Sequence, residues 1–304
     1  MDRGVELVKP GGASVAHAAP VDLGTDVASF FGPLENITVQ QTMRGCLQEC
    51  CGCEAQSEYK VYPGEVQQGS KRDPSVPQIA HLLEESACII RFCCADMRPF
   101  NMPLTFGAPE KKNGPFGPKI VEFKKPWAMP ICAKINLEWL AFLPYVGILA
   151  GTYNSPCCCA LPSIETVDGQ TGERLGSSQY LCDRYLAVPK WEVRDPSGAP
   201  QYLIRPDTCC GGCCIEIKFC GGRGARSIYV PFYIREPVEP FVKVNGANGE
   251  PAMINKVWSG FKKECCSDAD NFFVRFPAGA SPGTKANLLG ANVLVDFSFF
   301  ETQG

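Results

Sequence analysis

The chain has 304 residues, 45% of them apolar, and a formal net charge of −3. That is enough apolar material for one large core, and the charge lacks the basic surplus of a general nucleic-acid binder, so no nucleic-acid partner is expected. Nineteen cysteines are the compositional anomaly, and they occur in clusters.

Residues 1–34 are rich in Gly, Ala and Pro and show no hydrophobic period, which predicts a loose N-terminal arm. No Ser-, Pro- or charge-rich linker follows, so residues 35–304 are expected to form one domain. The opening MDRGVELVKPGG has no hydrophobic signal core. The expectation is therefore a cytoplasmic, reducing compartment with free thiols.

Short runs at Cys88 to Phe92, Pro118 to Phe123, Lys190 to Arg194, Gln201 to Arg205, Cys214 to Phe219, Ser227 to Tyr233, Phe241 to Asn245 and Asn271 to Phe276 alternate in polarity or carry β-branched and aromatic residues. They read as strands. Asp168-Gly169, Pro196-Ser197-Gly198, Asn245-Gly246 and Asn248-Gly249 supply the turns between them, since each contains a residue that accepts positive φ cheaply.

Residues 131–156 are read as an apolar insertion. Its LEWLAFLPYVGILAG segment carries Trp139, Phe142 and Tyr145 and is split by Pro144. It falls short of the roughly 20 apolar residues that a membrane span needs. Two readings stay open: it packs on the domain, or it forms an apolar patch that meets lipid or a protein assembly.

The cysteine clusters allow three readings. Thiols can serve as small buried hydrophobes. A Cys50-x-x-Cys53 and Cys210-x-x-Cys213 pairing has zinc-like local spacing, although the two halves are far apart in sequence. The triplet Cys157, Cys158 and Cys159, between Pro156 and Pro162, sits where acyl chains could be added. Several chains hold a protein to a membrane better than one.

The C-terminal fifth reads as an aromatic-basic turn (Trp258, Phe261, Lys262, Lys263), an acidic stretch (Asp268, Asp270, Asn271), a strand, and an apolar segment from Ala286 to Phe300. As a helix that segment leaves almost no polar face, which is the mark of a helix buried in protein. Leu289, Val293 and Phe297 are its expected core contacts, over about residues 283–299. The family likeness given below implies a calcium loop that starts here, with Asp268, Asp270 and Asn271 as weak ligand candidates and carboxylates at its first and third positions. Phe273 stands where that loop wants Gly and Gly279 where a closing acid belongs. Calcium is thus expected to bind weakly or not at all, and a simple Asx or Ser turn is the competing reading.

Four segments carry a family resemblance: RFCCADMRPFNM, VPKWEVRDPSGAPQYLIR, CCGGCCIEIKF and INKVWSGFKKECCSDADNFFVRFP. Together they resemble the phospholipid scramblase family. The likeness implies a mainly β, tubby-like fold, a closed antiparallel barrel of about twelve strands around a buried hydrophobic C-terminal helix. It also implies a membrane-associated, lipid-handling role at a membrane lipid surface. The alternative is a non-transporting scaffold or structural subunit of a larger, cytoskeletal-type assembly on the same fold. No covalent catalytic constellation is visible: there is no metal-binding His pair, nucleophile elbow or phosphate-cradling loop ahead of a helix.

Overall fold

The computed structural model describes residues 23–42, 56–65, 75–94, 98–109, 116–128, 161–181, 189–209, 214–215, 230–257 and 271–300. Alternating apolar and polar side chains set the strands. In Trp191–Arg194, Trp191 and Val193 are fully buried while Glu192 and Arg194 keep solvent contact, the period-2 pattern of a sheet with one covered face.

The strands are β1 (Asn36–Thr42), β2 (Glu58–Pro63), β3 (Ala80–Leu83), β4 (Phe100–Phe106), β5 (Lys119–Lys125), β6 (Ser163–Asp168), β7 (Arg174–Tyr180), β8 (Trp191–Arg194), β9 (Pro200–Pro206), β10 (Thr208–Cys209), β11 (Cys214–Ile215), β12 (Val230–Arg235), β13 (Met253–Val257) and β14 (Asn271–Arg275). Twelve close into a barrel in the order β1-β14-β13-β12-β9-β8-β7-β6-β5-β4-β3-β2, with β10 and β11 forming a separate ribbon. Every pairing is antiparallel. Register shifts at Leu104/Thr105, Thr166/Val167 and Val193/Arg194 mark local irregularities of the kind that bend strands around a closed sheet.

Helix α3 (Pro282–Val295) and the π-helical turn Asp296–Phe300 complete the chain. Pro282 opens the helix and the Ser281 hydroxyl accepts from the Thr284 amide at 3.2 Å, a capped start. Residues 284–295 are all buried, and the helix packs on β6, β7, β8 and β14. Gly290 lets helix and wall approach closely. A Cβ there would lie 2.8 Å from the Thr166 hydroxyl and 3.0 Å from the Phe123 ring.

Three expectations require correction. Residues 88–92 form the first turns of a helix, α2 (Cys88–Cys94), not a strand. The adjacent Ile89 and Ile90 favour strand, but tertiary context overrides so weak a preference. Residues 241–245 make only isolated bridges at Lys243 and Asn245, because Phe241 has φ 54 and interrupts extended backbone. Part of the stretch expected to be loose is packed: α1 (Val27–Phe31) buries Phe30 and Phe31 completely and contacts α3. The Lys285 ammonium donates to the carbonyls of Phe31 and Gly32 at 3.1 and 2.9 Å, which ties that helix to the barrel.

Candidate functional site

Successive barrel strands alternate in direction, so the connections β1–β2, β3–β4, β5–β6, β7–β8, β9–β12 and β13–β14 all leave one end. Those six connections contain every one of the nineteen cysteines, and the connections at the opposite end contain none. The sequence shows the clusters, but only the strand order reveals that they share an end.

The other predicted contact residues follow the same division. Trp139, Phe142, Tyr145, Cys157, Cys158 and Cys159 fall in the β5–β6 connection. Trp258, Phe261, Lys262, Lys263, Asp268 and Asp270 fall in the β13–β14 connection. All of these lie outside the described residues, as do Cys50, Cys53, Cys210 and Cys213. Asn271 is described: it opens β14 and is registered with Gln40 and Val257, so its backbone belongs to the barrel ladder. Leu289, Val293 and Phe297 are fully buried in α3 and its π-helical turn.

At the cysteine end the described residues include two exposed apolar side chains, Trp127 at 50% and Ile89 at 64%. Cys88 is disulfide-bonded, which departs from the expectation that all thiols stay reduced. Glu84 and Arg98 form a buried pair beside α2, with Arg98 Nε 2.7 Å and Nη2 3.1 Å from the two carboxylate oxygens. Burial alone would raise the Glu84 carboxyl. The hydrogen bond and charge of Arg98, with Ser86 and the Ser57 amide, overcome it and hold Glu84 below its ordinary value.

The lumen is filled. Asn287 ties the helix to the wall by accepting from the Thr166 hydroxyl at 3.0 Å and donating to the Arg194 carbonyl at 2.8 Å. The Tyr59 hydroxyl donates to Asp296 at 2.6 Å and the Trp191 indole to Ser298 at 3.0 Å. His81 is 1% exposed, 2.6 Å from Glu58, and stacked on Phe116, a structural placement. Among the described residues, no group of three His, Cys, Asp or Glu side chains could hold a metal ion, and no helix is long and apolar enough to cross a membrane.

A polar groove of about 510 Å³ runs along the outer wall over β4 to β8. Its floor is a row set by strand register, in which Asn101 pairs with Lys124, Lys124 with Glu165, Glu165 with Ser177, and Ser177 with Arg194. Arg174 reaches into the row, with Nε 3.1 Å from Glu165 Oε1 and Nη2 donating to Ser177 Oγ at 3.0 Å. Sequence reasoning missed this site. Alternation within β6 and β7 places Glu165 and Ser177 on the outer face, but bringing Lys124 beside Glu165 requires a pairing across the long β5–β6 connection.

Comparison with known proteins gives a consistent outcome. The family model described as Scramblase matches residues 238–302. The chain is 48% identical over 218 residues to phospholipid scramblase 2 of Homo sapiens, covering 72% of this chain and 55% of that protein. It is 46% identical over 225 residues to phospholipid scramblase family member 5 of Homo sapiens, covering 74% and 62%. Over 297 residues it is 22% identical to phospholipid scramblase 1 of Mus musculus, covering 97% and 70%. The chain thus spans 55% to 70% of the length of these relatives. No solved structure matches significantly.

Proposed function

Since the chain belongs to the scramblase family, we propose that it is a lipid-handling protein held at a membrane surface by the cysteine-bearing end of its barrel. The observation that carries this reading is the gathering of all nineteen cysteines, of which Cys88 is disulfide-bonded and so not open to acylation, into the connections of one end. A cytosol-facing protein that needs thiols only as core filler has no reason to confine them to one rim. Clustered acyl chains do need such an arrangement, because chains inserting together must leave the protein on the same side.

The exposed Trp127 supports the same face, since indoles favour the water-hydrocarbon boundary. Cys157, Cys158 and Cys159 are the preferred acylation triplet, bracketed by Pro156 and Pro162. Trp139, Phe142, Tyr145 and the Trp258-Phe261-Lys262-Lys263 cluster would add apolar and electrostatic contact with anionic lipid. Acyl-exchange labelling with the Cys157→Ser, Cys158→Ser, Cys159→Ser variant tests this. Labelling should fall sharply, and the protein should leave membranes after hydroxylamine treatment. Retention on membranes after complete thioester cleavage, with labelling unchanged, would overturn it.

One observation favours the alternative of a non-transporting scaffold. The lumen is occupied by α3, so headgroups have no route through the barrel interior among the described residues. Transport on this fold would have to use the outer wall. A reconstituted lipid-exchange assay separates the two readings, since a scaffold leaves vesicle asymmetry intact.

A further inference from the structure

We propose that the outer groove over β4 to β8 binds the headgroup of a membrane lipid that joins a phosphodiester to an ammonium group. Across the row, Lys124 and Arg194 stand on either side of Glu165, with Arg174 beside it. The side chains of Lys124, Arg174 and Glu165 are 45%, 43% and 45% exposed and that of Arg194 is 38% exposed, so all four can meet a ligand.

A bare anion entering the row meets the Glu165 carboxylate, and a bare cation meets Lys124, Arg174 and Arg194, whose own carboxylate partners are Glu122 at 3.7 Å, Glu165 and Glu192 respectively. A zwitterion satisfies both signs: its phosphate takes the Lys124 or Arg194 end and its ammonium the carboxylate. Charge-assisted hydrogen bonds of this kind are the stronger ones, and an Arg guanidinium fits phosphate oxygens in a fork. The groove falls in the size range of small-molecule sites, and its row of charged and polar side chains suits a headgroup rather than acyl chains.

Position agrees with charge. Lys124 lies one residue from the end of β5, Pro126 lines the groove, and the exposed Trp127 follows. The row therefore starts at the cysteine end and climbs to Arg194, the last residue of β8, at the opposite end. A headgroup lifted from a surface at the cysteine end would enter at Lys124. This inference rests on the membrane-docking reading for the source of the ligand, but its chemistry can be tested without a membrane.

The experiment titrates the full chain with glycerophosphoethanolamine, inorganic phosphate and ethanolamine, read by calorimetry. Glycerophosphoethanolamine should bind more tightly than either fragment. Glu165→Gln should weaken it about fivefold, the scale of a half-exposed charge pair, while tightening inorganic phosphate. Lys124→Gln and Arg194→Gln should weaken both phosphate-bearing probes. That crossing of signs is not produced by a merely structural role, and matched thermal unfolding of the variants excludes a folding defect.

Equal affinity for phosphate and glycerophosphoethanolamine, or no response to Glu165→Gln, overturns the proposal. Vesicles of phosphatidylethanolamine against phosphatidylglycerol then identify the source, with Glu165→Gln selectively reducing binding to the former. Failure of the soluble titration with vesicle docking intact removes this inference alone. Soluble binding without any vesicle docking removes the membrane reading instead.

Discussion

At the scale of single residues, the buried polar groups near the barrel ends set how stability depends on acidity. Glu84 is fully buried and its carboxyl lies below the ordinary 4.5, so the folded state binds its proton less readily than the unfolded chain. Its contribution is present above about pH 4.5 and is lost as pH falls through the lower folded value. Arg98→Gln should invert that trend. With its cation gone, burial raises the carboxyl, and the variant should regain stability as acid protonates Glu84. At neutral pH the stranded charge should cost about 3–5 kcal/mol. Urea unfolding of both proteins across pH 3 to 8 checks the sign, and parallel curves would refute it. The calcium residues lead to a different expectation. With Asp268 and Asp270 as its main acids and no acid at the closing position, calcium should bind no more tightly than about 10⁻⁴ M. Calorimetry showing micromolar binding that vanishes in Asp268→Ala would refute this and restore a regulated site.

At the scale of elements, the absence of a side chain at Gly290 helps the helix fit the wall. An exposed helical Gly→Ala change usually adds about 1 kcal/mol of stability. At Gly290 the added Cβ would press on the Thr166 hydroxyl and the Phe123 ring, and Thr166 is the group that donates to Asn287. Gly290→Ala should therefore destabilise, and Gly290→Val more so, by about 1–3 kcal/mol as overpacked cores do. Stabilisation by Gly290→Ala in chemical denaturation would refute the close packing of helix against wall at this position. Removal of the chain from Lys285 onward tests the helix as a whole. It deletes Leu288, Leu289, Val293, Leu294 and Phe297, all fully buried, each worth about 2–5 kcal/mol. Their sum exceeds the usual margin of about 5–15 kcal/mol, so the truncated protein should be insoluble even without membranes. The helix was legible because a segment apolar on every side has few places to go but an interior. Strand β8 was legible from clean alternation. Helix α2 was not, since two isoleucines in seven residues carry the same local signal in either structure, and α1 was not, since five residues are too few to show a period.

At the scale of the whole molecule, the strand order gives the cysteines their meaning. Nothing in the spacing of Cys50, Cys93, Cys157, Cys182, Cys213 and Cys265 shows that their connections attach to one rim, because that depends on an even number of strand reversals between each pair. The groove was illegible for the same reason: Lys124 and Glu165 are neighbours only after a long connection returns to the wall. Polarity of the barrel yields the last prediction. If the cysteine end meets the bilayer, hydrogen exchange on vesicle binding should slow near Ile89 and Trp127 and in the connections that leave beside them. The turns at residues 169–173, 195–199 and 246–250 should exchange as before, since they lie at the far end. Val238 and Val242, 68% and 51% exposed, make that far end the physical competitor, for it too offers apolar surface to lipid. Protection confined to residues 236–242 would turn the molecule over, with the cysteines facing away from the membrane. In that orientation acyl chains on Cys157 to Cys159 could not reach the same bilayer, so the exchange pattern and the acylation result must agree or the docking geometry fails.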